Sequence, residues 1–505
     1  MISLIDRVID RITMYRLVLW YLVALLVGAE ILGVAHIIAI DPVALALSSI
    51  LVLAGGWITN QLFARVFNAI PNNESVYITG LIVLLIMDPA PLGDLGAAAA
   101  ITLASAWAMA SKYVLSLRRC HIFNPAALGI ALPALLLDHP ATWWVSGQIW
   151  LMPLVIVGGL LIVRKLRRFD LVLAFAVANL AATVFTGNLA DAWGSVQIAL
   201  LSSPFFFFAF VMLTEPLTAP QGRFLRVCYA ALVGVLASPN IAIAGYYFTP
   251  EIALLVGNLF TLLVSPKGRV VLTLERIEHV AADIYDFVFR PDRPLAFAAG
   301  QYLEWTLPLR RPDSRGNRRY FTIASAPTED AVRLGVKFVD NGSAFKQQLS
   351  GLRPGDQVVA SQLAGSFTLP RSRKRKLAFV AGGIGVTPFR SMLAELLARQ
   401  EKRDIVMLYG SNRIDEFAYA GIFRRAREEL GIRTSYIVRD PQGAPPDMPI
   451  GLIDEQFVRD KMPDFADRVF YVSGPQAMVS ATKEVLRRLG VPSRRIRTDF
   501  FPGLA

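Results

Sequence analysis

The apolar residues of this 505-residue chain are concentrated in its first half, and this uneven distribution limits the folds available to it. From Met14 to Val264 long hydrophobic segments are separated by short polar loops, whereas charged residues become frequent from Lys267 onward. The mean hydropathy of +0.48 therefore averages two unlike halves. The sequence predicts a membrane-embedded domain over residues 1–266, followed by soluble domains.

Apolar segments in the first half approach the roughly 20 residues that a helix needs to cross a hydrocarbon layer. The third, fifth and ninth of them are short. They lie at Met14–His36, Val43–Val66, Ser75–Met87, Leu92–Leu115, Asn124–Leu137, Gln148–Val163, Leu171–Phe185, Val196–Leu213, Phe224–Leu236 and Ile241–Val264. The pattern predicts a bundle of ten transmembrane helices.

Basic residues occupy every second loop of this half, and the intervening loops carry acidic residues and His139 without lysine or arginine. The basic set is Arg7, Arg11, Arg16, Arg65, Lys112, Arg118, Arg119, Arg164, Lys165, Arg167, Arg168, Arg223, Arg226, Lys267 and Arg269. By the positive-inside rule, the chain is a multi-pass protein of the inner (cytoplasmic) membrane with both termini cytoplasmic. The net charge of +12 is attributed to this topology and not to nucleic-acid binding.

Two cysteines, Cys120 and Cys228, lie far apart and predict no zinc or iron–sulfur site. The four histidines supply no pair at matching membrane depth, which argues against a haem-bearing bundle. No metal site is expected.

A repeat is visible in the membrane half. Met87–Pro91 and Leu213–Pro220 each end an apolar segment with a proline-rich turn, and Phe123–Pro125 and Phe248–Pro250 each open one. Five predicted helices separate the members of each pair, so they lie on opposite sides of the membrane. This is typical of an inverted-topology repeat, whose axis passes through a functional site near the midplane.

The segments Arg118–Gly129 and Thr214–Pro216 resemble the NqrB/RnfD family of membrane electron-transport subunits. The resemblance implies ten helices in two inverted repeats and membrane-bound flavin. The family's Ser-Gly-Ala-Thr attachment sequence is absent from the corresponding loop, Thr186–Ser195. The expected second flavin is therefore non-covalent, with Asn124, Thr214 and Glu215 as its candidate contacts.

The second half changes pattern near Lys376. Short alternating runs such as Leu272–Ile277 and Tyr285–Phe289 predict an antiparallel β-barrel over residues 267–370. Strands at Leu377–Ala381, Asp404–Tyr409 and Val469–Ser473 are each followed by a helical segment. Residues 371–505 are thus predicted to form a doubly wound, Rossmann-like α/β domain.

Within the predicted barrel, the run Arg318–Ser325 offers what a flavin requires. Arg319 supplies a planar cation for a pyrophosphate, since guanidinium binds phosphate oxygens in bidentate fashion. An aromatic ring at Tyr320 or Phe321 provides a flat apolar surface, and Thr322 provides a small hydroxyl for the redox nitrogen. An edge strand with surface arginines is the alternative interpretation.

In the predicted α/β domain, Ala381–Pro388 forms a glycine-rich turn between a strand and a helix. Glycines let the backbone approach a pyrophosphate, whose charge the helix N-terminus stabilises. A second strand ends in the small residues Ser473–Met478, at the edge where open α/β sheets bind ligands. A plain tight turn remains the alternative for the glycine-rich segment.

In order and spacing, these three motifs resemble the ferredoxin-NADP reductase family, which implies FAD on the barrel and NAD(P)H on the α/β domain. By this resemblance, Arg319 binds the FAD pyrophosphate, Phe321 contacts the ring or adenine region, and Thr322 hydrogen-bonds flavin N5. Gly342 and Ser343 belong to a second phosphate-contacting turn.

For the nucleotide, the resemblance implies contacts from Gly382, Gly383, Gly385, Thr387, Gly474 and Pro475. Ser473 stands where the family usually has cysteine, beside the nicotinamide. Phe500 or Phe501 shields the flavin face, and the catalytic set is Thr322, Ser473 and Phe501. Ser411 and Arg413 are candidates for a 2′-phosphate, although NADH and NADPH are not distinguished.

Together the halves predict an FAD-dependent NAD(P)H oxidoreductase that passes single electrons through the membrane domain to a quinone or an extracytoplasmic redox protein. Two alternatives stay open. One is a transporter or channel with a redox-sensing reductase domain, and the other is a cytoplasmic flavin reductase that uses the membrane domain as an anchor.

Overall fold

A computed structural model describes residue 9 and residues 12–67, 69, 73–118, 120–187, 189–243, 246–265, 268–309, 313, 316–339 and 342–501. The chain divides into two compact units, Met1–Gly268 and Arg269–Ala505. The first is built from apolar helices. The second contains two sheets.

Each of the ten predicted apolar segments overlaps a helix of the first unit, but the eighth segment divides into two helices and the helix of the tenth begins only at Pro250. They are α1 Met14–Val34, α2 Pro42–Val66, α3 Asn73–Ile86, α4 Leu95–Val114, α5 Pro125–Leu136, α6 Met152–Leu166, α7 Phe169–Thr186, α8 Ala192–Leu201, α9 Phe205–Met212, α10 Arg223–Leu236 and α11 Pro250–Val264. Helix α9 ends in a π-helical turn, Phe208–Met212.

The prediction of ten membrane-spanning helices is wrong for the described part of the chain. Three helices, α1, α2 and α7, are long and apolar enough to cross a membrane. Helices α8 and α9 meet at a bend of 64°, and they add a fourth span if the pair is treated as one broken helix. Helices of 12 to 15 residues, such as α5 and α11, rise only about 18–23 Å and fall short of the hydrocarbon layer of about 30 Å.

Helices α5 and α11 begin in the same way. A two-stranded hairpin, β1 Ser116–Leu117 with β2 Cys120–His121, precedes α5, and a second hairpin, β3 Ala242–Ile243 with β4 Tyr246–Tyr247, precedes α11. Each helix then opens with proline at its first position, where a missing N–H costs nothing. These matching local structures agree with the predicted repeat, which itself stays a prediction.

Buried polar side chains join neighbouring helices of the first unit. Ser105 on α4 donates to the carbonyl of Val52 on α2 at 2.7 Å, and Asn179 on α7 donates to the carbonyl of Gly234 on α10 at 2.9 Å. Between apolar helices such hydrogen bonds supply directional contacts that apolar packing lacks. They fix which helices become neighbours.

The first sheet of the second unit has six antiparallel strands in the order β8-β7-β10-β5-β6-β9. The strands are β5 Val270–Ala281, β6 Ile284–Pro291, β7 Tyr302–Thr306, β8 Arg318–Thr322, β9 Val332–Lys337 and β10 Gln357–Ala364, with helix α12 Ala344–Ser350 before β10. Just beyond β8, Ala324 N donates to Arg333 O at 2.9 Å, which brings the two edge strands together. The sheet is consistent with the predicted FAD barrel.

The second sheet has five parallel strands in the order β13-β12-β11-β14-β15. The elements are β11 Leu377–Gly382, α13 Thr387–Ala398, β12 Ile405–Ser411, α14 Ala420–Leu430, β13 Arg433–Val438, α15 Glu455–Lys461, β14 Val469–Pro475, α16 Gln476–Arg488 and β15 Ile496–Phe501. One face buries Phe379 and Tyr409, and the other buries Val380 and Leu408. The α/β prediction is confirmed, but strands β13 and β15 were not predicted.

Candidate functional site

The predicted flavin-binding run lies on edge strand β8, which pairs with β7 through Tyr302↔Thr322 and Trp305↔Arg319. Side chains alternate along a strand, so Arg319 and Phe321 share one face while Tyr320 and Thr322 share the other. The strand therefore presents its candidate side chains on two faces.

Arg319 is already oriented by protein contacts. Its Nη2 donates to both carboxylate oxygens of Asp313, at 2.9 and 3.1 Å, and its Nη1 donates to the carbonyls of Gly316 and Arg318. The guanidinium carbon lies 5.3 Å from the centroid of the Phe345 ring. A pyrophosphate at this position would share the guanidinium with Asp313.

Phe321 completes an aromatic pair with Phe345, with ring centroids 5.7 Å apart. The predicted second phosphate turn immediately precedes Phe345. Ser343 accepts a hydrogen bond from Lys346 N as the N-cap of α12, and the carbonyl of Gly342 accepts one from Gln347. The structure thus brings Gly342 and Ser343 close to the Arg319 and Phe321 face of β8.

Tyr320 points the other way, into a hydrogen-bond network around buried Glu304. Its hydroxyl donates to Glu304 Oε2 at 2.8 Å, and Gln362 donates to the same oxygen at 3.1 Å. The residue as a whole is 42% exposed. Its ring packs edge-on against the ring of Tyr302, with centroids 5.7 Å apart.

Thr322 and Ser473 share one property. Their hydroxyl oxygens, like several other buried polar atoms of the chain, make no hydrogen bond among the described residues. Thr322 is 3% exposed and Ser473 is fully buried. Buried polar atoms nearly always have partners, so two such orphans at predicted catalytic positions indicate groups that a ligand completes.

The glycine-rich turn packs directly on the end of β14. A Cβ atom on Gly385 would lie 2.4 Å from Gly474 Cα, and one on Gly382 would lie 3.0 Å from Met478 Sδ. Gly383 has a φ of +51°, a left-handed conformation that favours glycine. The predicted nucleotide-binding glycines therefore meet at the carboxyl edge of the sheet.

Pro475 ends β14 and immediately precedes α16, so this candidate stays beside the glycines. In the β14–β15 register Gly474 pairs with Phe500 and Pro475 with Phe501. The backbone of both phenylalanines thus reaches the predicted site. Their side chains lie outside the described residues.

Thr387 begins α13 directly after the glycine-rich turn, and its predicted contact with the nucleotide stays a prediction. Its hydroxyl donates to Ile384 O at 3.2 Å, and its methyl group is 2.8 Å from the point where a Cβ on Gly335 would lie. Because Gly335 belongs to β9, Thr387 packs against the barrel. Its side chain stabilises the turn and the contact between the two sheets of the second unit.

The two candidates for a 2′-phosphate face carboxylates. Ser411 donates to Glu416 at 2.9 Å, and Arg413 contacts Asp415 at 2.9 Å and Asp283 at 3.4 Å. Arg439, at the end of the adjacent β13, is exposed and forms no ion pair within the described part of the chain. Sequence reasoning overlooked this arginine.

A buried network that sequence reasoning also missed joins the barrel to the nucleotide domain. Tyr419 donates to Asp286 at 2.5 Å, and Arg390 donates to both carboxylate oxygens of Glu329. Burial raises the pKa of Asp286, and burial together with the Asp286 charge raises the pKa of Tyr419 well above its usual value. Burial opposes ionisation of Glu329, but the hydrogen bonds from Arg390 and Ala326 together with the positive charges of Arg390 and Arg333 outweigh it and lower the pKa of that carboxyl.

In the first unit the structure brings Asn124, Thr214 and Glu215 into one neighbourhood. The side chain of Asn124 caps α5 and donates to Met212 O at 3.5 Å, while its backbone N–H donates to Asn258 Oδ1 at 2.7 Å. Thr214 donates to Phe210 O at 2.7 Å. Both candidates are therefore engaged with protein groups.

Glu215 lies 3.2 Å from His121 Nε2 and accepts a hydrogen bond from Thr218 at 2.9 Å. A small cavity borders His121 and is also lined by Cys120, Asn258, Thr261 and Ser265. Sequence reasoning did not anticipate the pairing of Glu215 with His121, because 94 residues separate the two.

Residues 379–484 match the family described as the oxidoreductase NAD-binding domain. The flavohemoprotein of Bacillus subtilis (strain 168) is 26% identical over 232 residues, which cover 44% of this chain and 57% of that protein. The reductase subunit of an aromatic O-demethylase from Amycolatopsis sp. (strain ATCC 39116 / 75iv2) is 29% identical over 242 residues, 47% of this chain and 70% of that protein.

The C-terminal half of the chain is an FAD- and NAD-binding oxidoreductase unit of the ferredoxin-reductase type. A crystal structure of an Amycolatopsis cytochrome P450 reductase is 28% identical to this reductase unit, with a TM-score of 0.42, and covers 47% of this chain and 70% of that one. The chain spans less than two thirds of the Bacillus flavohemoprotein. The resemblance of the first unit to the NqrB/RnfD family stays a prediction.

Proposed function

We propose that the reductase unit transfers a hydride from NAD(P)H to FAD bound along strand β8. The observation that carries this proposal is the pair of buried hydroxyls, Thr322 Oγ1 and Ser473 Oγ, that have no hydrogen-bond partner in the described part of the chain. The Thr322 hydroxyl lies on the barrel and the Ser473 hydroxyl lies on the parallel sheet. A reaction between two bound cofactors requires one such group on each side. When bound, FAD supplies the chemistry that accepts a hydride and releases electrons singly.

The residues of the barrel fit an FAD. Arg319, held by Asp313, would share its guanidinium with the pyrophosphate, and the turn at Gly342 and Ser343 would approach the same phosphates. Phe321 or Tyr320 would contact the rings. Thr322 would hydrogen-bond the redox nitrogen, which would satisfy its buried hydroxyl.

The residues of the parallel sheet fit a dinucleotide. Gly383 leaves the backbone open near the N-terminus of α13, where a pyrophosphate charge is stabilised, and Gly382 and Gly385 let the turn pack closely on β14. Ser473 would lie beside the nicotinamide. Ser411, Arg413 or Arg439 would face the adenosine ribose, and both NADH and NADPH remain candidate donors.

The test is flavin content and NAD(P)H oxidation of the purified full chain. Arg319→Ala is expected to lower the FAD content, and Thr322→Ala is expected to slow flavin reduction, because each removes a polar contact to the cofactor. If both variants keep full flavin occupancy and wild-type NAD(P)H oxidation, the assignment of these residues is wrong.

We further infer that the first unit places the chain in the cytoplasmic membrane as a multi-pass protein with both termini cytoplasmic. In this proposal it conducts electrons to a quinone or an extracytoplasmic redox protein, with a non-covalent second flavin near Asn124, Thr214 and Glu215. Three helices long and apolar enough to span a membrane, and the cluster of Glu215 with His121, support it. An acceptor beyond about 30 Å of hydrocarbon needs such an intermediate site.

One observation favours a simpler second candidate. Only three or four helices in the described residues are both long and apolar enough to cross a membrane, and that number suffices for an anchor. Flavin analysis of the detergent-purified chain separates the two proposals. Two flavins per chain support an electron path through the first unit, whereas one flavin supports a membrane-anchored cytoplasmic flavin reductase or a redox-sensing domain.

A further inference from the structure

Two consecutive side chains of helix α13 hold the chain segment that follows strand β8. Arg390 Nη1 donates to the carbonyl of Ala324 at 3.0 Å, and Ser391 Oγ donates to the carbonyl of Ser325 at 2.6 Å. Helix α13 begins at the glycine-rich turn, and Ala324 lies two residues beyond Thr322. These contacts therefore connect the nucleotide side of the unit to the flavin side.

Both side chains are buried, and Arg390 is held in turn by a carboxylate. Arg390 is 6% exposed and Ser391 is fully buried. Both Nη atoms of Arg390 contact Glu329, and Glu329 also accepts from Ala326 N at 2.5 Å. A bidentate arginine–carboxylate pair fixes orientation as well as distance, so the loop after β8 is bound at consecutive residues.

A second set of contacts between the barrel and the parallel sheet holds the two sheets in the same arrangement. Tyr419, the N-cap residue of α14, donates to Asp286 on β6, and a Cβ on Gly335 would lie 2.4 Å from the Tyr419 hydroxyl. The barrel and the parallel sheet therefore meet without room for another side chain at this point.

Hydride transfer depends steeply on the separation of donor and acceptor. A displacement of about 1 Å costs on the order of 100-fold in rate, because the reacting atoms must approach to about 3–3.5 Å. Thr322 and Ser473 belong to different sheets, so their separation is set by contacts between the sheets. Arg390 and Ser391 make such contacts within three residues of Thr322.

We propose that Arg390 and Ser391 are positioning residues that set the distance between the flavin held at Thr322 and the nicotinamide held at Ser473. The inference rests on the proposed function, because it assumes that these two hydroxyls face the reacting cofactors. Arg390 and Ser391 touch neither predicted cofactor position and act through the backbone of Ala324 and Ser325.

The test uses the full-length chain in detergent and follows the rate of flavin reduction after mixing with NADH or NADPH. Arg390→Ala is expected to slow flavin reduction about 100-fold. Arg390→Lys keeps the charge and loses the planar fork, so it should recover part of that rate. Ser391→Ala removes one neutral hydrogen bond and should slow flavin reduction about 5-fold.

A positioning role predicts two further results that a loss of stability does not. The FAD content and the KM for the nucleotide should stay at wild-type values while the rate of flavin reduction falls. The kinetic isotope effect measured with nucleotide deuterated at the transferred C4 position should rise, because hydride transfer becomes more fully rate-limiting.

Arg403→Lys is the matched control. The Arg403 side chain is 8% exposed, like that of Arg390, and it also pairs with a carboxylate, Glu401, and a carbonyl, Pro370. It precedes β12 at the amino edge of the sheet, far along the chain from Thr322. Flavin reduction by Arg403→Lys should match the wild type.

A wild-type chain that fails to oxidise either nucleotide would overturn the proposed function itself. Wild-type oxidation with unchanged flavin reduction in the Arg390 and Ser391 variants would overturn only the positioning role. The same holds if Arg403→Lys slows flavin reduction as much as Arg390→Lys. If Arg390→Ala does not accumulate as folded protein, the isotope effect of Ser391→Ala decides.

Discussion

The two units differ in where their unpaired buried polar atoms lie. In the first unit, side chains such as Ser105 and Asn179 donate to helix carbonyls, although the hydroxyl of Ser146 is buried without a partner among the described residues. In the reductase unit, two hydroxyls without a partner among the described residues stand at predicted catalytic positions, Thr322 and Ser473. Their position is what distinguishes them, because an orphaned buried hydroxyl carries a free-energy cost of about 1–3 kcal/mol that a bound cofactor would remove.

The largest expected effect tests the glycine contact of the reductase unit. Gly385→Ala would place a methyl group 2.4 Å from Gly474 Cα, so the turn must move away from β14. We expect kcat/KM for NAD(P)H to fall about 100-fold, as measured by initial rates with a soluble dye. Gly421→Ala, where an added Cβ meets no atom within 4 Å, should leave the rates unchanged. Equal rates in both variants would contradict the assignment of the turn.

The next effect separates stability from function at the orphaned hydroxyl. Thr322→Val keeps the shape of the side chain and replaces its hydroxyl with a methyl group. The cofactor-free chain should therefore unfold at the same temperature or higher. Flavin reduction should slow about 10- to 30-fold, because the hydroxyl no longer reaches the bound cofactor. Thermal unfolding and stopped-flow reduction measure the two quantities.

Thr183→Val is the matching change in the first unit. The Thr183 hydroxyl donates to Asn179 O at 2.9 Å, so its removal should lower the unfolding temperature without slowing flavin reduction. A Thr322→Val chain that is destabilised as much as Thr183→Val would show that the Thr322 hydroxyl has a protein partner, and the comparison between the units would fail.

A double change tests whether the first unit conducts electrons. Asn124→Leu with Glu215→Leu removes the cap of α5 and the partner of His121. We expect dye reduction by NAD(P)H to persist and reduction of a quinone or an extracytoplasmic acceptor in membrane vesicles to fall about 10-fold, since buried polar contacts of 1–2 kcal/mol are lost.

Asp94→Leu controls for the loss of a helix cap, because Asp94 caps α4 through Ala97 N. It should lower stability while vesicle activity persists. If the double variant keeps both activities, the first unit is an anchor. If both activities vanish in a folded chain, the two units are coupled more tightly than the proposal requires.

The smallest effect concerns the choice of nucleotide. Arg413→Ala should raise the KM for NADPH about 3-fold and leave the KM for NADH unchanged if the guanidinium contacts a 2′-phosphate, because its contacts with Asp415 and Asp283 already offset part of its charge. Arg439→Ala is the parallel variant. A larger rise in KM for NADPH with Arg439→Ala would transfer the role to that arginine.

Sequence reasoning succeeded where the determining features are local. The glycines before α13 and the alternation around β8 follow from a few neighbouring residues, and both elements lie where they were predicted. Strand β13 was missed because its sequence, Arg433–Val438, lacks clear alternation. The sequence predicts the short helices to be membrane spans because hydropathy records composition and does not report helix length.

Contacts between distant residues were beyond the sequence. Arg390 stands in a helix whose pattern predicts only a buried face. Its hydrogen bond to Ala324, 66 positions earlier in the chain, depends on how the two sheets pack together. The proximity of Thr387 to Gly335 is likewise a property of the assembled unit. Pairing of Glu215 with His121 likewise requires the folded helices.

Ala324 and Arg390 are 66 positions apart, so Ala324 is synthesised well before the helix that binds it. Chain growth at about 5–20 residues per second separates the emergence of these two residues from the ribosome by about 3–13 s. During that interval the barrel strands of a nascent chain are present without the helix that holds the end of β8. Flavin captured before α13 emerges would therefore meet a looser barrel than the finished enzyme offers.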